Sequence, residues 1–190
     1  MKKTVIIIIS ILAIIAIAVG GFMLMQSKTA EKKELKLQTA EEMQNMLNTI
    51  YSSGKVELPK LETSVIDVND QIQVTSYTGL KSNENVEELV VSEPLMNAQA
   101  YSLAIIKVNE KADVEQIKQE IRDNIDMRKW ICVSAEKLYI TNYENIIFLV
   151  MSSEEWAKPV YEEFKNFVEN DIGKELEKSE EIDFDIPPEV

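Results

Sequence analysis

An uncharged apolar segment near the start of the chain places the strongest limit on what this sequence can fold into. It runs from Thr4 to Met25 and follows Lys2 and Lys3. At a rise of about 1.5 Å per residue, a helix of this length reaches roughly 33 Å, enough to cross a hydrocarbon core of about 30 Å. We therefore predict a membrane anchor over residues 1–25, with Thr4–Met25 in contact with the lipid bilayer.

The residues that flank this segment bear on its processing and orientation. Cleavage after a small-residue site at Ala16 or Ala18 would leave an apolar remainder, which favours an uncleaved anchor over a signal peptide. Lys2 and Lys3 favour a cytoplasmic N-terminus, whereas the lysines between residues 28 and 36 oppose it. Because a short basic N-terminus is the usual start of an export signal, we predict a single-pass cell-membrane protein with an extracytoplasmic C-terminal domain.

Charge and apolar periodicity divide the rest of the chain into three parts. Residues 26–38 are charged and lack glycine and proline, which is typical of a stalk, and residues 39–170 carry the pattern of a folded α+β domain. Residues 171–190 are acidic and poor in apolar side chains, so we predict a disordered tail. In that tail Ile182, Phe184 and Ile186 alternate with acids, a pattern that also fits a docking peptide.

Two amphipathic helices are indicated by their caps and apolar stripes. Thr39 and Glu42 form a capping box, and Gly54 supplies a stop. Asp113 is a suitable N-cap for the second helix. The two stripes are Met43, Met46, Leu47 and Ile50 in the first helix, and Val114, Ile117, Ile121 and Ile125 in the second.

Two pairs of apolar runs predict β-hairpins. "EELVVSEPLM" and "AYSLAIIKV" are joined by a connection that contains Asn97, and "KLYITNYENIIFLVMS" turns at Tyr143–Asn145. A final helix contains Trp156, and its regular part is expected to begin near Pro159. The order is ββα-ββα, and we predict a two-layer α+β sandwich of a mainly antiparallel sheet and helices. Between residues 56 and 85 the pattern fits either a strand or a loose helix.

The composition removes several kinds of chemistry. The chain has no histidine and one cysteine, so imidazole-dependent catalysis and cysteine-cluster metal sites are absent. The net charge of −13 disfavours nucleic acid as a partner. No glycine-rich phosphate loop and no distinctive carboxylate pair occur. We assign no catalytic residue, no cofactor-binding residue and no metal ligand.

The segment "WICVSAEKLYITN" holds the only candidates for a nucleophile. Ser134 and Lys137 match a Ser-x-x-Lys motif, as do Ser52 and Lys55, but the companion motifs of such hydrolases are missing. Cys132 is flanked by Ile131 and Val133, which is typical of a strand interior. We therefore interpret the segment as a β-strand rather than as a nucleophile site. In "DMRKW", just before it, we expect Trp130 to pack inward.

The segments "NVEELVVSEPLMNAQAYSLAIIKVNEKADVEQIKQEI" and "VSAEKLYITNYENIIFLVMS" carry a family resemblance. The chain resembles the domain of unknown function 4358 family, which contains uncharacterised membrane-anchored or lipoprotein envelope proteins of Gram-positive bacteria. The likeness covers about Glu42 to Val168, and its motifs are structural. A lipidation cysteine, common in that family, is not present beside Thr4–Met25. The resemblance implies an exported, membrane-tethered domain without assigned catalytic residues.

These observations favour a non-enzymatic, membrane-anchored binding or scaffolding module of the cell envelope, whose partner is an envelope protein or ligand. One alternative is an envelope hydrolase that uses a carboxylate pair assembled only in the fold; it requires two carboxyl groups about 5–9 Å apart in one cleft. A second alternative is an accessory domain that senses a ligand and relays its binding to a partner.

Overall fold

The computed structural model describes residues 35, 37–96 and 98–180, and the regular elements lie in one compact unit that starts after residue 35. In chain order they are α1 (Ala40–Ser52), β1 (Leu61–Val65), α2 (Gln71–Thr78), β2 (Val86–Pro94), β3 (Tyr101–Val108), α3 (Val114–Asn124), β4 (Lys137–Tyr143), β5 (Ile146–Ser152), α4 (Glu154–Phe167) and β6 (Leu176–Ser179). Both predicted caps are present: the Thr39 side chain accepts from the Glu42 amide, and Asp113 accepts from the Gln116 amide.

The strands form one antiparallel sheet in the order β1-β2-β3-β5-β4-β6. The predicted hairpins are β2–β3 and β4–β5, so the α+β class, the antiparallel sheet and the ββα-ββα order are confirmed. The region that the sequence left open contains both alternatives, with β1 and then α2. The additional strands β1 and β6 form the two edges of the sheet.

Helices cover both faces of the sheet, so the predicted two layers are corrected to three. On one face, Val74 of α2 and Ile121 of α3 belong to the same apolar cluster as Ala104, Leu138 and Leu149. On the other face, α4 stacks Phe164 on Phe148 and Tyr161 on Tyr139, and Tyr51 of α1 meets Tyr101 through their hydroxyl groups. Since every residue of β5 is buried, a single helical layer would leave half of its side chains in water.

The connectivity explains why the two helical layers form. α3 joins β3 to β4 across the intervening β5, and α4 joins β5 to β6 across the intervening β4. β3 and β5 are antiparallel, while both connections step in the same direction across the sheet. If the connections through α3 and α4 have the same handedness, the two helices must then lie on opposite faces of the sheet.

The start of α4 differs from the prediction at Pro159. The helix begins at Glu154, and Pro159 lies within it. The missing proline N–H would have bonded to the carbonyl of Glu155 four residues earlier, and Glu155 is exposed to water. Solvent can therefore satisfy that carbonyl, and the helix continues through the proline.

The predicted disorder of the tail is wrong for residues 171–180. β6 pairs with β4, and the segment before it is held by Lys118, whose buried ammonium donates to Asn142 Oδ1 at 2.6 Å and to the Lys174 carbonyl at 2.7 Å. Gly173 packs so closely that a Cβ there would lie 2.1 Å from Asn142 Oδ1. The partners of this short strand lie far away in sequence, so local composition does not reveal them.

Two predicted segments lie outside the described residues. They are the membrane anchor at Thr4–Met25, with most of the stalk that follows it, and the end of the tail, including Ile182, Phe184 and Ile186. Among the described residues, no helix has the length and apolar content needed to cross a bilayer.

The sheet has two ends, which we name by their residues. At the near end, Gln38 shares a small groove with Lys107, Asn109 and Asn145, so the chain enters the domain there. At the far end, β2 ends and β3 begins, and Lys137 of β4 pairs with Ser179 of β6. A strand of seven residues separates the two ends by roughly 23 Å.

Candidate functional site

The loop between α3 and β4 lies at the far end and does not have the predicted conformation. β4 begins only at Lys137, and the loop is closed by a hydrogen bond from the Ala135 amide to the Met127 carbonyl at 2.8 Å. Cys132, predicted to lie inside a strand, is exposed and has φ +64°. Since this left-handed conformation breaks the strand alternation, Ile131 and Val133 are also turned to solvent, at 73% and 36% exposure.

Lys129 organises the inner part of this loop. Its ammonium forms an ion pair with Glu93 at 2.6 Å and donates to Ser102 Oγ at 3.0 Å. It also lies 4.9 Å from the ring centroid of Tyr77 and 5.5 Å from that of Trp130. These contacts connect the loop to α2, β2 and β3, and they fix Trp130 against the core, as predicted.

The electrostatics of this cluster are those of a neutralised ion pair. The Glu93 carboxylate balances the Lys129 ammonium, and burial together with that carboxylate raises the pKa of the Tyr77 phenol. The phenol therefore stays protonated at neutral pH. The adjoining recess has a volume of about 190 Å³ and includes Ser76 and Ile131 in its lining. The positive charge is compensated, so the cluster serves to position the loop rather than to attract an anion.

Several large apolar side chains are exposed at the far end, and one of them, Ile131, lines this recess. Among the described residues, large apolar side chains are exposed at Val65, Ile72, Leu95, Met96, Ile131 and Val133. The last four lie in the loop or just beyond β2, and Leu95 and Met96 are 54% and 65% exposed. We call Leu95, Met96, Ile131 and Val133 the apolar rim. Clustered apolar exposure of this kind typically marks a binding surface.

The Ser-x-x-Lys matches are structural in this fold. Lys137 Nζ donates to Ser179 Oγ at 2.8 Å and thereby links β4 to β6. Ser52 donates to the carbonyl of Asn48 within α1, and Lys55 forms an ion pair with Glu163. In neither match does the structure give the serine and the lysine a hydrogen bond to each other.

A groove of about 790 Å³ runs between α1 and α4, and its lining contains several amide and hydroxyl groups. Asn45, Asn48, Thr49 and Asn166 are among these groups. Its one ionisable lining residue is Glu163, whose pKa is lowered chiefly by the hydrogen bond from Lys55. The groove is wide and open, and it contains no pair of carboxyl groups.

Two carboxylates, those of Glu162 and Glu175, share the ammonium of Lys165. The ammonium lies 3.3 Å from Glu162 Oε1 and 3.2 Å from Glu175 Oε2. Glu175 also accepts a hydrogen bond from the Tyr161 hydroxyl at 2.8 Å, which is the main cause of its lowered pKa. A general acid needs a raised carboxyl pKa, so this arrangement is typical of a surface ion-pair network. Among the described residues, no group of three or more potential ligands is placed to hold a metal ion.

Comparison with known proteins gives no match: no family model fits the chain, and no curated protein or solved structure is similar to it. The class that the structure defines is a three-layer α+β domain with an antiparallel six-stranded sheet. The resemblance to the domain of unknown function 4358 family stays a prediction.

Proposed function

We propose that the chain is a membrane-anchored, non-enzymatic binding or scaffolding module of the cell envelope, and that the apolar rim is its contact surface. The observation that carries this proposal is the concentration of exposed apolar side chains at the far end. Leu95, Met96 and Ile131 are each more than half exposed there, beside a loop that Lys129 holds in place. Exposed apolar area on a fixed loop stabilises a complex when a partner removes it from water.

The rim lies away from the point at which the chain enters the domain. The chain enters the domain at the near end through Gln38, and the rim lies at the opposite ends of the same strands. We propose a protein partner, because the rim is apolar and the ammonium of Lys129, next to it in the loop, is already neutralised by Glu93.

One labelling experiment tests both the side of the membrane and the covered surface. Cys132 is exposed beside the rim and is the only cysteine, so a membrane-impermeant maleimide reports on the far end directly. The matched control is the variant C132S/I72C, because Ile72 is 82% exposed on α2 and does not belong to the rim.

We expect position 72 to be labelled in intact cells, because the domain lies outside the membrane. We expect position 132 to be labelled more slowly than position 72 in intact cells, and both to react equally well after the membrane is dissolved in detergent. Protection of both positions until the cells are permeabilised contradicts the extracytoplasmic location. Fast labelling of both in intact cells contradicts a covered rim.

A further inference from the structure

The two edges of the sheet differ in how they meet solvent. On β6, the outward carbonyl of Glu177 accepts a hydrogen bond from Arg122 Nε at 2.7 Å, so the helix beside it protects that edge. On β1, the described residues include no strand or side chain that bonds to the outer side, since β1 pairs only with β2. An open edge strand is a template for pairing with another chain.

The hydrogen bonds between β1 and β2 show which backbone N–H and C=O groups of β1 point away from β2. The Leu95 amide donates to the Lys60 carbonyl at 3.3 Å, and the Ile66 amide donates to the Leu89 carbonyl at 2.9 Å. In an antiparallel ladder the residues that bond inward alternate with those that point outward. The even-numbered residues of β1 therefore bond to β2, and the N–H and C=O groups of Leu61, Thr63 and Val65 point outward.

We infer that this open edge pairs with the same edge of a second copy of the chain, in an antiparallel arrangement about a two-fold axis at Thr63. Thr63 then faces Thr63 of the second copy, and Leu61 faces Val65. In this register every outward N–H and C=O of the three residues obtains a partner. If the second copy slid by two residues along the edge, one of these three residues in each copy would have no partner for its N–H and C=O groups.

The side chains favour the same register. Val65 is half exposed at 50%, and the second copy's Leu61 would cover it on the face that carries α1 and α4. On the opposite face Glu62 stands beside Ser64 of the second copy, so no two like charges lie directly opposite each other. If the second copy slid by two residues in one direction along the edge, Glu62 would lie directly opposite Glu62 of the second copy. Two like charges in that position would destabilise the pairing.

The edge is short, so the pairing depends on a high local concentration. Five residues of β1 bury little surface, and an isolated contact of this size is weak. Two copies held in one bilayer meet at a much higher effective concentration than in solution, which raises the apparent affinity without any new contact. In this respect the inference rests on the proposed anchor at Thr4–Met25.

Cysteine cross-linking of the full chain in membranes tests the pairing. In a Cys132→Ser background, Thr63→Cys places two thiols in a directly opposed pair with Cα atoms about 5.5 Å apart, within the range that a disulfide spans. We expect mild oxidation to shift the chain to twice its monomer mass. The matched control is Glu62→Cys, because position 62 is more exposed than position 63 and so meets other chains by chance more often. In the proposed pairing it lies about 7–8 Å from position 62 of the second copy, too far for a disulfide. This variant should remain monomeric.

A second variant tests the register. Val65→Lys adds a charge opposite the second copy's Leu61 at a position that is half exposed, so folding should be retained. We expect it to abolish cross-linking through Thr63→Cys. Equal cross-linking of the two cysteine variants, a monomeric Thr63→Cys chain, or cross-linking that survives Val65→Lys would each overturn the inference. Anchoring is scored separately by the maleimide labelling and by recovery of the chain in the membrane fraction, so the two failures are distinguishable.

Discussion

Cys132 shows how one backbone conformation determines the character of the far end. Its φ of +64° lies in the left-handed region, which a residue with a Cβ adopts at a cost of about 1–2 kcal/mol. The hydrogen bond that closes the loop between Met127 and Ala135 holds the turn in place. The same turn exposes Ile131 and Val133, so the strained turn supplies two of the four residues of the apolar rim.

We expect Cys132→Gly to raise the free energy of unfolding by about 1 kcal/mol, because glycine adopts positive φ without a steric penalty. Cys132→Ser should change it by less than about 0.5 kcal/mol, since the side chain is exposed and the backbone strain is unchanged. Urea denaturation of both variants against the parent chain measures the difference. Equal stability of the glycine and serine variants would show that the turn is not strained.

The sequence did not reveal this residue-scale detail, and the reason is physical. A positive φ at a residue other than glycine depends on the hydrogen bond across the loop, which joins residues eight positions apart. Apolar neighbours on both sides of Cys132 therefore suggested a strand. The capped helices were predictable, because the capping box at Thr39 and Glu42 and the cap at Asp113 act within four residues.

At the scale of elements, the hairpins and helices followed from local patterns, but the layers did not. The runs "SLAIIKV" and "IIFLVMS" are apolar at nearly every position, which indicates a strand buried on both faces. That signal implies helices on both sides of the sheet, although hairpin-connected strands more often have one solvated face. The two crossovers of the same hand supply the second layer.

The C-terminal strand is the element that the sequence hid most completely. Its four residues gain stability from β4, from Arg122 and from the buried Lys118, whose ammonium lies between Asn142, Glu115 and the Lys174 carbonyl. Without this segment Lys118 would lose one of its acceptors, and β4 would become an open edge.

We expect a chain that ends after Asn170 to lose about 3 kcal/mol or more of unfolding free energy, because it leaves a buried charge short of a partner and uncovers β4. A chain that ends after Glu180 is the matched control and should retain the parent's stability, since it keeps β6 intact. Urea unfolding followed by tryptophan fluorescence measures both. Equal unfolding midpoints would contradict a stabilising role for residues 171–180.

At the scale of the whole molecule, the tyrosines make stability depend on alkaline pH. Burial is the main cause that raises the phenol pKa of Tyr51, Tyr77, Tyr101, Tyr139 and Tyr161 above the ordinary value. The folded state therefore holds these protons more tightly than the unfolded state. Their contribution is fully present below about pH 10, the unfolded pKa, and is lost as the pH rises through the folded values.

We expect the unfolding free energy to fall steeply above about pH 10, and Tyr161→Phe to reduce that slope by up to about 1.4 kcal/mol per pH unit. The phenol of Tyr161 donates to Glu175, which further opposes its ionisation. Phe148→Leu should lower stability by a similar amount at every pH, because it removes only packing against Phe164 and Tyr161. Urea titrations between pH 7 and pH 11 compare the slopes. An unchanged slope in Tyr161→Phe would refute the assignment.

The entry of the chain at the near end and its exit at the far end have a mechanical consequence. Gln38 lies at one end of the strands, and β6 runs towards the other end, where Glu180 follows Ser179. A pull applied between residue 38 and residue 180 acts along the strand axes. The β4–β6 hydrogen bonds would then be sheared together rather than opened one after another. Under such a pull, the pairing of β4 with β6 would resist as a unit.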